Sequence, residues 1–221
     1  MNQEQIFREF ESDNWYLRNR ENLKPKDDPV IFLTELYSLI NVNSKVLEIG
    51  ASNGYRLAKI YEKFKCEVVA VEPSKKAVEE GSKEFPYIKF YNITAEDMDF
   101  SEDYDVIIIN SVLHWIDRKN LLKVIYKIDR ALKYGGVLII GDFQLFFPVK
   151  NRYHHMENFE VFTYKLSYRE IFKSTGLYYE LANFCYNHDT KEFKDINLGN
   201  LFSVSLLKKE SIYINQQNVF P

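Results

Sequence analysis

The sequence has few cysteines and no long apolar run, and each absence excludes a class of protein. Cys66 and Cys185 are the only cysteines in 221 residues, so we expect no disulfide framework but two thiols in a reducing cytoplasm. The apolar runs at 106–109 and 137–140 are far shorter than the roughly 20 residues of a membrane-spanning helix. Because the N-terminus is polar and charged, no secretory signal is predicted. A cytoplasmic protein without a membrane segment is therefore expected.

A strong charge of either sign is also missing. The chain has 29 Lys and Arg against 32 Asp and Glu, and no long basic run, which argues against a nucleic-acid partner. Aromatic residues are abundant instead, with 17 Phe and 16 Tyr. A chain of this length can bury one sizeable core, and no linker or repeat divides it. The prediction is a single domain over residues 1–221.

Short runs rich in Val and Ile alternate with helical stretches through the middle of the chain. Helices are predicted at 55–64, at 74–85 and at 117–132, where the last ends at a YGG sequence with Gly135 in a left-handed turn. Two later strands, at 178–186 and 201–207, are expected to pair antiparallel because their connection has no helical pattern. This alternation predicts a doubly wound, mostly parallel α/β sheet. The five strands predicted before that pair are 46–49, 68–71, 88–91, 106–109 and 137–140.

Two segments fall outside this alternation. Residues 1–28 contain an amphipathic helix that the sequence KPKDDP ends, and residues 143–167 form an aromatic stretch with no clear period. Exposing aromatic side chains to water costs about 25 cal/mol per Å². We therefore expect residues 1–28 to be an N-terminal cap and residues 143–167 a substrate-covering insertion, both folded over the carboxyl edge of the sheet. The aromatic residues behind this expectation are Trp15, Phe146, Phe147, Tyr153, Phe159 and Phe162.

The sequence VLEIGASNG at 46–54 places Glu48 at the end of a buried strand, two residues before Gly50. A buried carboxylate without a partner is costly. A nicotinamide site prefers G-x-G-x-x-G, whereas here the spacing is G-x-x-x-G and the preceding acid would repel a pyrophosphate. Gly50 and Gly54 would let a ligand approach the backbone closely. The pattern favours a ligand that carries a positive amino group or sulfonium.

Further motifs follow the later strands in the expected order. VEPS ends the second strand with Glu72, where an acid can accept both hydroxyls of a ribose. TAEDMDF follows the third strand, and YDVIIINSVLHWI and RALKYGGVLII contain the fourth and fifth. At these residues the sequence resembles the class I S-adenosylmethionine-dependent methyltransferases, over about residues 40–142. The resemblance implies a Rossmann-like seven-stranded sheet, mostly parallel with an antiparallel C-terminal strand and helices on both faces, and an enzyme that converts S-adenosylmethionine to S-adenosylhomocysteine.

The resemblance also implies which residues contact the cofactor. Glu48 would orient the methionyl ammonium group, and Glu72 would accept the ribose hydroxyls. Ala95 and Glu96 would lie at the adenine edge, and Asn110 beside the methionine part. The alternative for the glycines is turn geometry alone, and for Glu72 a solvated strand end. Nine residues share the cofactor prediction: Glu48, Gly50, Ala51, Gly54, Glu72, Pro73, Ala95, Glu96 and Asn110.

A histidine is the natural general base if the methyl acceptor is an oxygen of high pKa. His154 and His155, in the sequence NRYHHMENF, are the predicted catalytic residues, with Tyr153 shaping the pocket. The alternative is that these histidines only form hydrogen bonds in a loop. His114, at the end of the fourth strand, lies either near the methyl donor or in a packing and capping role. No metal site is predicted, because these residues and 188–189 lack ligand spacing.

The predicted acceptor is a small molecule. Enzymes that methylate exocyclic base nitrogens have a proline-aromatic motif after the fourth strand, where this sequence has NSVLHW and no basic face. A protein substrate is one alternative, and a non-catalytic partner or sensor that binds the cofactor is another. The sequences WYLRN, YHH and FTYKLSYREIF resemble, more weakly, bacterial methyltransferases of surface-glycan and nonulosonate biosynthesis. This second resemblance favours a sugar or surface-glycan precursor, and the sequence predicts no oligomeric state.

Overall fold

The computed structural model describes residues 1–23, 28–192 and 199–210. Most of the KPKDDP sequence and part of the 187–200 connection therefore lie outside the described residues. The described residues form nine strands: β1 Lys45–Ile49, β2 Glu67–Val71, β3 Lys89–Tyr91, β4 Tyr104–Asn110, β5 Leu132–Phe143, β6 Val149–Arg152, β7 Phe162–Lys165, β8 Tyr178–Asn187 and β9 Leu201–Lys209.

Seven of these strands form one sheet in the order β3-β2-β1-β4-β5-β9-β8. The first five run parallel to one another, while β9 pairs antiparallel with both β5 and β8. The antiparallel pairing of the last two strands is confirmed. So is the predicted Rossmann-like sheet, mostly parallel with an antiparallel C-terminal strand.

Helices α4 (Tyr55–Phe64) and α5 (Lys75–Glu84) begin and end within one residue of the predicted positions, while α6 (Leu121–Ala131) begins four residues later than predicted. Ser74 caps α5 by accepting a hydrogen bond from the Ala77 N–H at 3.1 Å, and Asp28 caps α3 (Pro29–Leu36) with a proline in its first turn. The helices are α1 Gln3–Ile6, α2 Ser12–Asn19, α3 Pro29–Leu36, α4 Tyr55–Phe64, α5 Lys75–Glu84, α6 Leu121–Ala131 and α7 Arg169–Lys173. A π-helical turn, Phe7–Glu11, joins α1 to α2, and a 3-10 turn, Arg20–Asn22, follows α2.

The predicted C-terminal turn of α6 at Gly135 is wrong. Helix α6 ends at Ala131, four residues before Gly135, and β5 begins at the next residue. The buried Leu132 pairs with Tyr104 of β4, and the register between these strands then shifts. Gly135 does have a positive φ of 78°, but it serves this irregular start of β5 rather than the helix terminus.

Both faces of the sheet are covered, as predicted. Alternate residues of β4 point to opposite faces, so Ile107 belongs to one apolar core and Ile108 to the other. Helices α6 and α7 cover the first core with residues such as Phe172. Helices α3 and α4 cover the second with Leu33 and Leu57.

The 143–167 stretch is more ordered than its sequence predicts. Strands β6 and β7 within it form an antiparallel hairpin. Tyr153 is buried, but the side chains of Phe146 and Phe147 are 78% and 65% exposed. The expectation that these two phenylalanines are buried is therefore wrong. They lie in the connection from β5 into the hairpin, at residues that belong to neither strand.

The N-terminal segment, residues 3–22, bridges this hairpin and helix α5. The Gln3 side chain donates hydrogen bonds to the carbonyls of Trp115 and Phe162 at 2.8 and 2.9 Å. At the other end of the segment, the Tyr16 hydroxyl donates to a Glu80 carboxylate oxygen of α5 at 2.5 Å. The segment is thus fixed at both ends beside the carboxyl edge of the sheet.

Candidate cofactor site

A cavity of about 350 Å³ lies at the carboxyl ends of β1, β2 and β4, and this size suits a small organic ligand. The N-terminal segment contributes Phe7 and Trp15 to its wall. Of the nine predicted cofactor residues, Glu48 and Gly54 do not line it. The seven that do are Gly50, Ala51, Glu72, Pro73, Ala95, Glu96 and Asn110.

Glu72 lies at the end of β2 with its carboxylate held by the backbone. Its Oε2 accepts a hydrogen bond from the Ser52 N–H at 2.8 Å, and its Oε1 accepts one from the Ser74 N–H at 2.7 Å. Burial raises the pKa of Glu72 to about 7, and the two N–H groups oppose this rise. Because a carboxylate oxygen has two lone pairs, each oxygen retains one acceptor position. The arrangement can therefore accept two further hydroxyl groups.

Two buried hydroxyl groups on the cavity wall have no hydrogen-bond partner among the described residues. They are Ser52 Oγ, in the turn after β1, and Thr94 Oγ1, beside the predicted adenine-side turn. A buried hydroxyl without a partner costs about 1–3 kcal/mol. The two groups therefore fit a cavity whose polar ligand completes their hydrogen bonds.

Glu48 forms an ion pair with a cationic side chain of the protein itself. One carboxylate oxygen pairs with Arg56 Nη1, and Arg56 Nε pairs with Asp28 at 2.9 Å. Burial raises the pKa of Glu48 to about 7, although Arg56 lowers it. The sequence predicts a ligand cation at Glu48, and the structure corrects this partner to Arg56. The other oxygen, Oε2, has no partner among the described residues, so a ligand contact of Glu48 stays a prediction.

Arg56 is the site residue that sequence reasoning missed. It lies in the first turn of α4, is buried and lines the cavity. A cation in the first turn opposes the helix dipole, so its presence in GYRLAKI signals a specific carboxylate partner. Two carboxylates, Glu48 and Asp28, share this one guanidinium, and Arg56 Nη2 also donates to the Tyr55 hydroxyl at 2.9 Å. With both acids ionised, the group is negative and suits a positively charged ligand.

The two glycines of the first turn have different surroundings. Both have positive φ angles, 73° for Gly50 and 79° for Gly54. A Cβ on Gly50 would lie 2.3 Å from Cγ2 of Val112, which lines the cavity. A Cβ on Gly54 would instead meet Phe90 at 2.8 Å and Ile88 at 2.9 Å, away from the cavity wall. For Gly54 the structure favours the alternative of turn geometry and packing.

The adenine-side turn and the end of β4 complete the polar wall. Glu96 is buried, and this burial raises its pKa. Asn110 is the last residue of β4, and the next residue, Ser111, has a positive φ of 59°. Gly141 of β5 leaves the space for the Asn110 side chain, because a Cβ there would lie 1.9 Å from Asn110 Oδ1.

Tyr153 supports the cavity wall from behind. Its ring packs edge-on against Trp115, with the centroids 4.5 Å apart, and Trp115 lines the cavity. The Tyr153 hydroxyl donates to Glu11 Oε1 at 2.6 Å and accepts from Arg18 Nη2 at 2.9 Å. Burial raises the pKa of Tyr153, so its hydroxyl is neutral. The predicted pocket-shaping residue thus acts through Trp115.

The predicted catalytic histidines are not brought to the cavity. His154 and His155 are exposed in a turn, and neither lines the cavity. The turn directs their neighbours Tyr153 and Met156 into the protein and leaves both imidazoles in solvent. This position corrects the expectation that they face the methyl group.

His114 lies beside the cavity in a buried pair. Its Nδ1 lies 2.9 Å from Asp142 Oδ1, and its backbone N–H donates to Asp142 Oδ2 at 3.2 Å. A carboxylate accepts, so Nδ1 carries the proton and Nε2 is left unprotonated in the neutral ring. His114 is next in sequence to Trp115, and no partner for its Nε2 lies within the described ranges. The packing and capping interpretation therefore fits His114.

Among the described residues, no cluster of three or more His, Cys, Asp or Glu side chains is placed to hold a metal ion. No helix in the same part of the chain has the length and apolar character needed to cross a membrane.

Sequence comparison identifies a domain in the middle of the chain. Residues 46–136 match a family described as a methyltransferase domain. Over 114 residues the chain is 28% identical to the malonyl-[acyl-carrier protein] O-methyltransferase of Bacillus cereus, which covers 50% of this chain and 41% of that protein. The chain thus spans about two fifths of the length of the curated relatives that it matches.

Two solved structures resemble most of the chain. The 1,6-didemethyltoxoflavin-N1-methyltransferase of Burkholderia thailandensis, with bound 1,6-didemethyltoxoflavin and S-adenosylhomocysteine, has a TM-score of 0.71 at 14% identity, covering 93% of this chain and 88% of that one. The N-methyltransferase NodS of Bradyrhizobium japonicum, in complex with S-adenosylhomocysteine, has a TM-score of 0.61 at 16% identity, covering 90% and 98%. At these identities the likeness shows the fold.

Proposed function

We propose that the chain is a class I S-adenosylmethionine-dependent methyltransferase that methylates a small organic molecule. Its match to a methyltransferase domain over residues 46–136 and its fold support this proposal. S-adenosylmethionine, when bound, supplies a methyl group activated by a positively charged sulfur. The enzyme's own task is then to align the acceptor with that group and to exclude water.

The free acceptor positions of Glu72 are the observation that carries this proposal. Glu72 would hold the ribose hydroxyls, while the unpaired hydroxyls of Ser52 and Thr94 would complete their hydrogen bonds with the ligand. Glu48 and Asp28 share a single guanidinium, which favours the positive charge of the cofactor at this end of the cavity.

The walls of the cavity favour a small acceptor over a polypeptide. The N-terminal segment lies over the cavity and is tied to the rest of the protein by Gln3 and Tyr16. Trp15 and Trp115 line the same cavity and reduce the space for an acceptor. Among small acceptors we place a sugar or surface-glycan precursor first, because of the sequence resemblance of WYLRN, YHH and FTYKLSYREIF to methyltransferases of that pathway class.

Methyl transfer is tested with S-adenosylmethionine labelled in its methyl group. The protein is incubated with the labelled cofactor and a bacterial metabolite extract, and the products are separated by size. Label in the small-molecule fraction is the expected result. Label in the protein fraction would support a protein methyltransferase instead. Binding of the cofactor without any transfer would support a non-catalytic partner or sensor.

Cofactor binding is tested with two substitutions on the same strand. Glu72→Ala removes the acceptor of two charge-assisted hydrogen bonds, each worth about 1.5–3 kcal/mol, so affinity for S-adenosylhomocysteine should fall at least tenfold in calorimetry. Glu67→Ala is the matched control, because Glu67 begins β2 with an exposed side chain that pairs with Lys45 at 3.5 Å. Equal affinities of the two variants would refute the role of Glu72.

A further inference from the structure

Two lysines that form no ion pair with a carboxylate of the described residues lie beyond the β4 end of the cavity. Lys165 ends the hairpin strand β7, and Lys191 follows β8 and lines the cavity. His188 lies between them, with its ring 4.8 Å from the ring of Phe143. We call Lys165, His188 and Lys191 the basic patch. It is unexpected beside a cavity whose other charged wall residues include Glu72.

Lys165 is the most unusual member of the patch. Its Nζ lies 3.9 Å from the centroid of the Phe143 ring, and its side chain is half-buried. Burial lowers its pKa. Within residues 1–23, 28–192 and 199–210, no carboxylate lies within ion-pair distance of this ammonium group. The close contact of this half-buried cation is an aromatic face, and among the described residues no adjacent anion compensates it, although Asp189 and Asp142 attract it from a longer distance.

The two nearest acids are engaged elsewhere. Asp142 accepts hydrogen bonds from the imidazole and backbone of His114, and from the Phe143 N–H at 2.8 Å. Asp189 pairs with His188 Nδ1 at 3.1 Å and also accepts from Asn200. Neither carboxylate lies within ion-pair distance of Lys165, although both attract its positive charge, so neither takes up the hydrogen-bond donors of the ammonium group.

Lys191 extends the patch to the cavity wall. Its Nζ donates to the backbone carbonyl of His188, and no carboxylate of the described residues lies within ion-pair distance of it, although Asp189 attracts its charge. Its backbone φ is 62°, a left-handed conformation that a lysine adopts only where the surrounding structure holds it. Burial lowers the pKa of Lys191, as it does for Lys165. The patch is therefore continuous from the cavity wall to Phe143.

The order of strands separates this patch from the predicted ribose position. Glu72 ends β2, and the sheet continues through β1 and β4 to β5, which ends with Phe143. The patch thus lies past the Asn110 end of the cavity, on the side of the fourth strand opposite to Glu72. A group bound there would belong to the molecule that faces the methyl donor rather than to the adenosine part of the cofactor.

We propose that the basic patch binds an anionic group of the methyl acceptor, a carboxylate or a phosphate, with Lys165 as its main cation. The proposal rests on the proposed methyltransferase function and narrows the acceptor to acidic small molecules. Lys191 would contribute a second positive charge from the cavity wall. His188, whose pKa burial lowers, would contribute a neutral imidazole.

Binding of simple anions tests the patch without any methyl transfer. Protein saturated with S-adenosylhomocysteine is titrated with inorganic phosphate and with the dicarboxylate succinate, and the rise in melting temperature is recorded. Wild type should be stabilised by at least one of the two anions, which identifies the anionic group. Lys165→Met should lose this stabilisation. Lys165→Arg should keep it, because the charge is retained.

Lys150→Met is the matched control. Lys150 lies in the partner strand of the same hairpin, with its Nζ 3.6 Å from the ring of Phe162, and it is exposed. It should respond to the anions as wild type does. Stabilisation that is equal in the Lys165→Met and Lys150→Met variants, or absent in wild type, would overturn the patch assignment.

Labelled methyl transfer then separates this proposal from the function on which it rests. The metabolite extract is divided by anion exchange before the reaction, and transfer is expected only with the retained, acidic fraction. Lys165→Met should raise the amount of that fraction needed for half-maximal rate at least tenfold, and change S-adenosylhomocysteine affinity less than twofold. Transfer only with the unretained fraction would overturn the anionic acceptor while leaving the methyltransferase intact. No transfer with either fraction would refute the methyltransferase function itself.

Discussion

Glu72→Gln separates the effect of burying a charge on stability from the effect of that charge on ligand binding. Burial raises the pKa of Glu72 from 4.5 to about 7, so between these values the folded protein holds a proton that the unfolded chain has released. The stability that this neutral carboxyl contributes is complete below pH 4.5 and is lost as the pH rises through 7. In the ligand-free protein, stability should therefore fall across this range.

The size of the fall follows from the two pKa values. One pKa unit corresponds to about 1.4 kcal/mol, and between pH 6 and pH 8 Glu72 alone should lower the free energy of unfolding by about 1 kcal/mol. For a protein of this size that is a change of about 2–4 °C in melting temperature. The glutamine variant should lack this contribution, because its amide does not titrate.

The assay compares melting temperatures of ligand-free wild type and Glu72→Gln at pH 6 and pH 8. The amide also disturbs the hydrogen bonds from Ser52 and Ser74, but that effect is the same at both pH values and cancels in the comparison. Glu67→Gln serves as the exposed control and should follow wild type. If Glu72→Gln loses as much stability as wild type between the two pH values, the raised pKa of Glu72 is refuted.

Three further substitutions distinguish structural from catalytic roles. Replacing His154 and His155 together with Ala should change labelled methyl transfer less than twofold, because both imidazoles are exposed outside the cavity; a hundredfold loss would restore them as the general base. Gly50→Val should lower the free energy of chemical unfolding by about 3 kcal/mol or more. The φ angle of Gly50 is positive, and a Cβ there would lie 2.3 Å from Cγ2 of Val112. An unchanged free energy of unfolding would exclude this clash. Tyr153→Phe should cost about 1–3 kcal/mol in the same assay by removing the donor to the buried Glu11, and an unchanged value would show that this hydrogen bond is replaced.

Local patterns predicted the elements that local physics decides. The glycine turn and the apolar spacing after it placed α4 at its observed bounds, and Ser74 marked the start of α5. The order of motifs placed Glu72 at the cavity, because the carboxyl ends of parallel strands meet at one edge of a sheet. These predictions depend on residues close together in sequence and on a fold with fixed handedness.

Predictions failed where the direction of a side chain depends on a turn or on a distant partner. His154 and His155 stand in an insertion of the expected kind, yet they lie in the turn that follows β6, and this turn buries their neighbours Tyr153 and Met156 instead. Composition alone cannot predict which side chains of such a turn face inward. Phe146 likewise lies outside both hairpin strands, in a connection whose path the composition does not predict.

The sequence around Glu48 predicted a cationic partner but did not identify Arg56 as that partner. Because Glu48 is buried, it was expected to pair with a cation. That cation is Arg56, eight residues further along the chain. Arg56 does not compensate Glu48 completely, because the same guanidinium also pairs with Asp28. In addition, Glu48 Oε2 has no partner among the described residues. One protein cation between two buried acids leaves the group negative when both are ionised, and burial raises the pKa of Glu48 to about 7. A positively charged ligand is therefore still expected near this group, because the attracting charge belongs to Glu48, Asp28 and Arg56 together and not to Glu48 alone.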